Sequence, residues 1–181
     1  MNLQEAHAIF AADQIRQMLA DLAQALSQRY PNPGDFALVG VRTGGTFLAF
    51  RLRDQLAALC GQAPDTGVMD ITLYRDDWTR LHSRPKVGRT EIDFVIDDRV
   101  VVLVDDVIYT GRTTRAALDA LIDFGRPRRI ELLALIDRGQ RELPIQPDYV
   151  GAKITPESEQ VIDVRLREQG FPEDAVVIHP V

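Results

Sequence analysis

Three short apolar runs limit what this chain can fold into more than any other feature: Phe36–Val41 (FALVGV), Val100–Val104 (VVVLV) and Ile130–Ile136 (IELLALI). Each has strand length and lacks a clean polar alternation, so both of its faces must be covered. Amphipathic stretches lie between them. Ile15, Met18, Leu19, Leu22 and Leu26 recur at helical spacing, and Phe47–Cys60 and Thr113–Phe124 also read as helices. Strands apolar on both faces that alternate with helices predict an α/β fold, a central, mostly parallel, twisted sheet flanked by helices.

Punctuation supports these boundaries. Asp13 is placed to cap the first helix, Pro31–Asp35 (PNPGD) interrupts the chain, and Gly125 followed by Pro127 stops the helix before the third apolar run. Gly67–Tyr74 (GVMDITLY) reads as a further strand. After Ile154 the rhythm shifts to short β-like pieces, Gln160–Leu166 and Ala175–Val181. With no repeat and no linker, residues 1–181 read as a single domain with a small C-terminal β element, a hood drawn mainly from about 137–181. The segment from Arg75 to Glu91 breaks the pattern: it is polar, aperiodic, and rich in cations. A loop of that length inside a compact domain is usually functional.

Bulk chemistry narrows the function. The net charge of −6 supplies no global field to draw in nucleic acid. The single cysteine, Cys60, rules out an intrachain disulfide and fits a reducing, cytoplasmic setting. No apolar run approaches the roughly 18 residues of a membrane span, and the first residues lack the pattern of a signal peptide.

The central motif is Val100–Gly125. Asp105 and Asp106 stand where the apolar strand ends, the side of a parallel sheet on which ligands bind. Val107, Ile108, Tyr109, Thr110, Gly111, Arg112 and Thr113 then lead into a helix N-terminus. Free amides and the helix dipole favour an anion there, and Gly111 lets the backbone approach it closely. Paired carboxylates beside an anion cradle suit a ribose diol held next to its own 5′-phosphate.

This motif resembles the phosphoribosyl pyrophosphate (PRPP) signature of type I phosphoribosyltransferases. With ALVGVRTGG (37–45), DITLYRDD (70–77), DRGQRELPI (137–145) and DYVG (148–151), the chain is similar more narrowly to the PyrR family, uracil phosphoribosyltransferases that also regulate pyrimidine operons. The resemblance implies the type I phosphoribosyltransferase fold. It also implies that uracil and PRPP, accompanied by Mg²⁺, give UMP and pyrophosphate, with no metal held by protein ligands alone. By the same resemblance, Asp105 and Asp106 hold the ribose hydroxyls beside a developing oxocarbenium ion, and Val107–Thr113 bind PRPP or UMP. Arg42, Thr43, Gly44 and Gly45 contact pyrophosphate. The 75–91 segment, with Arg75, Asp76, Asp77, Arg80, Arg84, Lys86 and Arg89, is a mobile loop that closes over the reacting centre. Arg138 lies near the nucleotide or pairs with Asp137 or Glu142. Val161 flanks the base or belongs to the core.

The chain departs from the family in four places, one of them Gln140, where the family's DRGH has a histidine. Gly44 stands where an arginine is common in the pyrophosphate loop. Residues 152–160 match poorly. On the first helix Arg16 remains, but Ala20, Asp21 and Gln24 replace polar and basic residues, which weakens the phosphate contacts that dominate RNA affinity. Arg16, Arg141 and Lys153 are the remaining candidates for contact with a pyrimidine-operon leader RNA. Two functions compete: the uracil phosphoribosyltransferase, with or without RNA regulation, and a nucleotide-sensing RNA-binding regulator with little catalysis. The family resemblance also implies a homo-oligomer.

Overall fold

The three apolar runs form the centre of one parallel sheet. The computed structural model of the chain describes residues 6–76, 88–157 and 160–180. The N-terminal strand β1 (His7–Ala11) leads into α1 (Ala12–Arg29); β2 (Phe36–Val41), α2 (Gly44–Cys60) and β3 (Asp65–Met69) follow. Next come β4 (Val100–Ile108), α3 (Arg112–Ile122), β5 (Arg129–Asp137) and β6 (Tyr149–Lys153), and the chain closes with β7 (Gln160–Arg165) and β8 (Ala175–Pro180). Five strands in the order β3-β2-β4-β5-β6 pair in parallel throughout. Their direction of progression reverses between β2 and β4, and a crevice opens at such a switch point beyond the strand ends.

Alternation divides the core in two. Leu38, Val100, Val102, Val104, Leu133 and Leu135 face α1 and α2, while Val39, Val101, Leu103, Leu132 and Ala134 face α3. These side chains are essentially inaccessible to solvent on both faces, which is why the strand sequences are continuous apolar runs. At the lower rim, Glu131 is buried at the start of β5. It accepts hydrogen bonds from Arg29, Tyr30 and Tyr149 and pairs with Arg129, which ties the last turn of α1 to the sheet.

Three local expectations change. α1 begins one residue before Asp13, and Gln14 Oε1 accepts the Ala11 amide at 2.9 Å in place of an aspartate cap. The expected strand over Gly67–Tyr74 stops at Met69. There Asp70 accepts the Thr72 amide at 2.8 Å, and this side-chain turn diverts the backbone into a 3₁₀ turn over Thr72–Tyr74. The small antiparallel sheet, β1-β8-β7, is drawn from both ends of the chain, whereas a C-terminal hood starting near 137 was expected. Residues 137–153 complete β5 and lead to β6 as edge strand of the main sheet. Among the described residues no helix is long and apolar enough to cross a membrane.

A close approach of α2 to the sheet sets the site. A Cβ on Gly40 would lie 2.6 Å from both the Gly45 carbonyl oxygen and Thr46 Cα, and one on Gly45 would overlap the Val104 carbonyl. Both obstacles are backbone, so a Gly40→Ala variant must push α2 away. Its expected destabilisation is about 1–3 kcal/mol by urea denaturation. A wild-type midpoint would show that this contact does not hold α2 in place.

Candidate functional site

The aspartates at the end of β4 point to opposite faces, as a strand's period of two requires. Asp105 shares the α3 side with Val101 and Leu103, and Asp106 shares the α2 side with Val102 and Val104. Each carboxylate accepts the amide of the following residue: Asp106 N–H donates to Asp105 Oδ1 at 3.1 Å, and Val107 N–H to Asp106 Oδ1 at 2.9 Å. Burial, and then the charge of Asp106, push the Asp105 carboxyl well above the usual carboxylate range. Asp106 is also raised, chiefly by burial and further by Asp163, against hydrogen bonds that lower it. A Cβ on Gly44 would overlap the Asp106 carboxylate, so this glycine gives that side chain its place.

Asp105 lines a cavity of about 650 Å³ together with Val107, Tyr109, Thr110, Gly111 and Thr113. Gly111 caps α3 in the left-handed conformation (φ 91°), leaving the first amides of the helix without intrahelical partners at the cavity. Thr114 is buried against the same space, and its hydroxyl has no protein partner among the described residues. The connection from β5 to β6 braces this loop from behind. The amides of Glu142 and Leu143 donate to the Thr110 carbonyl at 3.0 and 3.2 Å. Arg141 donates to the carbonyls of Tyr109 (2.9 Å) and Ile145 (3.0 Å) and to Asp137 Oδ1 (2.7 Å). Its guanidinium is therefore engaged inside the protein with its side chain only 10% exposed, which corrects the expectation of an RNA-facing cation. Arg138 neither pairs with Asp137 nor with Glu142; it stacks on the Tyr109 ring, 3.8 Å from its centroid.

Arg112 links the loop to both neighbours. Nη1 lies 2.6 Å from Asp76 and Nε 2.6 Å from Glu142. Arg75 and Thr113 continue from this cavity into a second one of about 340 Å³, lined also by Arg42, Thr43, Asp70 and Gly88. The Arg42–Thr43 peptide is cis. Arg42 donates to the Arg89 carbonyl at 3.0 Å and lies 3.8 Å from Glu91. Burial acts to raise Asp70, but hydrogen bonds from Thr72 and the Gly88 amide, with the charge of Arg42, hold it below the carboxylate range. Asp70 thus pins the far end of the 75–91 segment to β3. The expected loop residues Asp77, Arg80, Arg84 and Lys86 lie outside the described residues.

A third cavity, of about 380 Å³, lies on the other side of Val107. Asp106 and Val107 form its floor, and Ile162–Arg165, Gln169 and Phe171 its walls. Val161, expected to flank the base, is not among these residues; Asp163 is, and its Oδ2 lies 2.7 Å from His179 Nε2. The Pro180 carbonyl and then Asp163 favour the charged imidazole and raise the His179 pKa. Arg16 and Lys153 are exposed on α1 and β6, elements that pack side by side. Sequence reasoning missed Asp70, Glu142, Asp163, Gln169 and Phe171 as lining residues. Only Asp70 and Glu142 carried a signal, since both lie inside stretches matched to the family.

The phosphoribosyl transferase domain family matches residues 6–169. The bifunctional protein PyrR of Syntrophobacter fumaroxidans is 47% identical over 93% of this chain and 91% of its own length. That of Desulfosudis oleivorans is 48% identical over 99% of both. Among solved structures, a hypoxanthine phosphoribosyltransferase of Trypanosoma cruzi superposes with a TM-score of 0.73 at 18% identity, covering 100% of this chain and 94% of that one. A hypoxanthine-guanine phosphoribosyltransferase from Bacillus anthracis gives 0.68 at 17% identity, with complete coverage of both chains. Likeness at that identity establishes a shared fold.

The raised Asp105 carboxyl has a consequence for stability. Folding raises its proton affinity, so the folded state binds more protons than the unfolded one and loses stability as pH rises from the unfolded value, near 3.8, through the folded value. Asp105→Asn removes that penalty. The variant is expected to melt several degrees above wild type at neutral pH, on the order of 1 kcal/mol or more. The gap should close as pH falls toward 4; calorimetry across that range checks it, and a gap that widens in acid would contradict the assignment.

Proposed function

Because this chain belongs to the phosphoribosyl transferase domain family and, within it, to the PyrR proteins, we propose that it is a uracil phosphoribosyltransferase that also regulates pyrimidine operons. The single observation that carries the catalytic reading is the arrangement of three adjoining recesses around Val107, Thr113 and Arg75. They match the three parts of a ribosyl phosphate donor and its acceptor.

The 5′-phosphate takes the cavity at the start of α3, where the amides after Gly111 and the hydroxyls of Thr110, Thr113 and Thr114 converge. Pyrophosphate takes the recess holding Arg42, Thr43 and Arg75. Uracil takes the cavity walled by β7 and floored by Asp106 and Val107. The ribose then bridges the end of β4, with one aspartate reaching it from each face of the sheet.

In the reaction the bond from ribose C1′ to a pyrophosphate oxygen breaks and a ring nitrogen of uracil bonds to C1′, with loss of its proton. The sugar gains cationic character on the way. Asp105 and Asp106 stand beside that charge, Asp105 buried and Asp106 partly so, where fixed negative groups act more strongly than in open water. The two carboxyls resist ionisation while the site lacks a cation, and a developing positive charge reverses that preference. Among the described residues no group of three or more histidine, cysteine or acidic side chains could hold a metal ion. Mg²⁺ would come with the donor and offset its charge, and Asp70 and Asp76, which line the two adjoining cavities, would face it.

For the regulatory role, Arg16 and Lys153 supply exposed cations on neighbouring elements. Catalysis and RNA binding would then reside on separate surfaces. Asp106→Asn, which keeps the side-chain shape, is expected to lower UMP formation by about 100-fold or more with a melting temperature at or above that of wild type. Mg²⁺-dependent UMP synthesis from radiolabelled uracil checks this; a wild-type rate in the variant would remove the ribose role.

A further inference from the structure

Arg51 lies midway along α2, outside every motif recognised above, yet it pairs with two acids at once. Nε and Nη2 donate to the two carboxylate oxygens of Glu168 at 2.8 and 2.6 Å. Nη1 and Nη2 donate to the two oxygens of Asp174 at 2.6 and 3.0 Å. Each acid is thus gripped through both oxygens, a geometry that the flat guanidinium provides and a lysine does not. Hydrogen bonding from Arg51 is the leading reason that both Glu168 and Asp174 are held below the usual carboxylate range. Asp174 is buried, and it also accepts the Arg167 amide at 2.9 Å.

The two acids bracket one short turn. Between them lie Gln169, Gly170 and Phe171, with Gly170 in the left-handed conformation (φ 93°). Gln169 and Phe171 form a wall of the cavity that has Asp106 and Val107 as its floor. The other end of α2 starts at Gly44, packed directly against the Asp106 carboxylate. Arg51 therefore joins the wall of that recess to the helix that abuts its floor. The recess has no other ion pair fastening this turn to the main sheet among the described residues.

We propose that Arg51 is a positioning residue for the base: it fixes the Gln169–Phe171 wall at the width that a single-ring base needs, without touching the base itself. This inference rests on the assignment of uracil to that cavity. It separates two properties of the substrate. The wall faces the base, whereas the sugar phosphate is held on β4 and α3, so loss of the clamp should weaken binding of one and spare the other.

The test compares wild type with Arg51→Met, Arg51→Lys and Glu168→Gln. In Arg51→Met the KM for uracil should rise about tenfold or more while the KM for the donor stays within about twofold. Arg51→Lys should fall between, since it keeps the charge but loses the double grip. Calorimetric titration with UMP and with ribose 5-phosphate gives a readout independent of turnover: affinity for UMP should fall and affinity for ribose 5-phosphate should not. If Arg51→Met does not fold, Glu168→Gln, which alters a partly exposed acid and leaves the Asp174 pair intact, should still raise the uracil KM severalfold. An unchanged uracil KM, or equal losses for both ligands, would overturn the positioning role and leave only a structural one. A wild-type protein that binds UMP no better than ribose 5-phosphate would overturn the base assignment together with this inference. Wild-type protein that makes no UMP but binds it more tightly would sink the catalytic reading alone, and the binding ratio in the variants would still decide the role of Arg51.

Discussion

Two carboxylates at the end of an apolar strand, Asp105 buried and Asp106 partly so, are the constraint around which this structure is arranged. Removing a charge from water without a partner is expensive, and among the described residues neither Asp105 nor Asp106 is paired with a cation. What contains that penalty is local: each acid accepts the next amide, and both carry raised proton affinity. The surroundings then build an anion cradle on one side of the strand and a glycine-lined contact with α2 on the other. On the proposed function, an arrangement that is unfavourable by itself would become favourable once a substrate brought cationic character between the two acids. Stability and function are set against each other at this one place.

The strand ends, the turn at Gly111 and α3 could be read from the residues because their signals are short-range. A run such as VVVLV leaves no face for solvent, and Gly111 before a threonine-rich stretch marks a turn into a helix. Even the opposite orientation of Asp105 and Asp106 was available from strand periodicity, although adjacency in sequence suggests a pair acting from one side. Other parts were not legible, for physical reasons. β1 is only His7–Ala11, and its partner β8 lies at the far end of the chain, so no local pattern announces the pairing. Arg141 looks like a surface cation in sequence, and only the folded β5–β6 connection shows that its hydrogen bonds are used internally. Asp163, Gln169 and Phe171 carry no motif; they become neighbours of Asp106 through the placement of the small sheet.

The β5–β6 connection shows how a stretch recognised for its likeness to a family can serve a mechanical purpose. The residues of DRGQRELPI do not line the donor cavity, apart from Glu142. They hold the backbone of Tyr109 and Thr110 by amide and guanidinium hydrogen bonds from behind. Main-chain amides at a cavity depend on such support, since they can act as preorganised donors only if they already point the right way before a ligand arrives.

The small sheet has its last strand in sequence at its centre: β8 pairs with β1 on one side and β7 on the other. Neither flanking strand pairs with the other. During synthesis the donor-binding half of the chain can therefore assemble while β1 and β7 both wait, edges unpaired, until Ala175–Pro180 leaves the ribosome. Loss of Ala175–Pro180 would dissolve the whole small sheet, and with it the β7 wall of the cavity beside Asp106, while leaving the start of α3 in place.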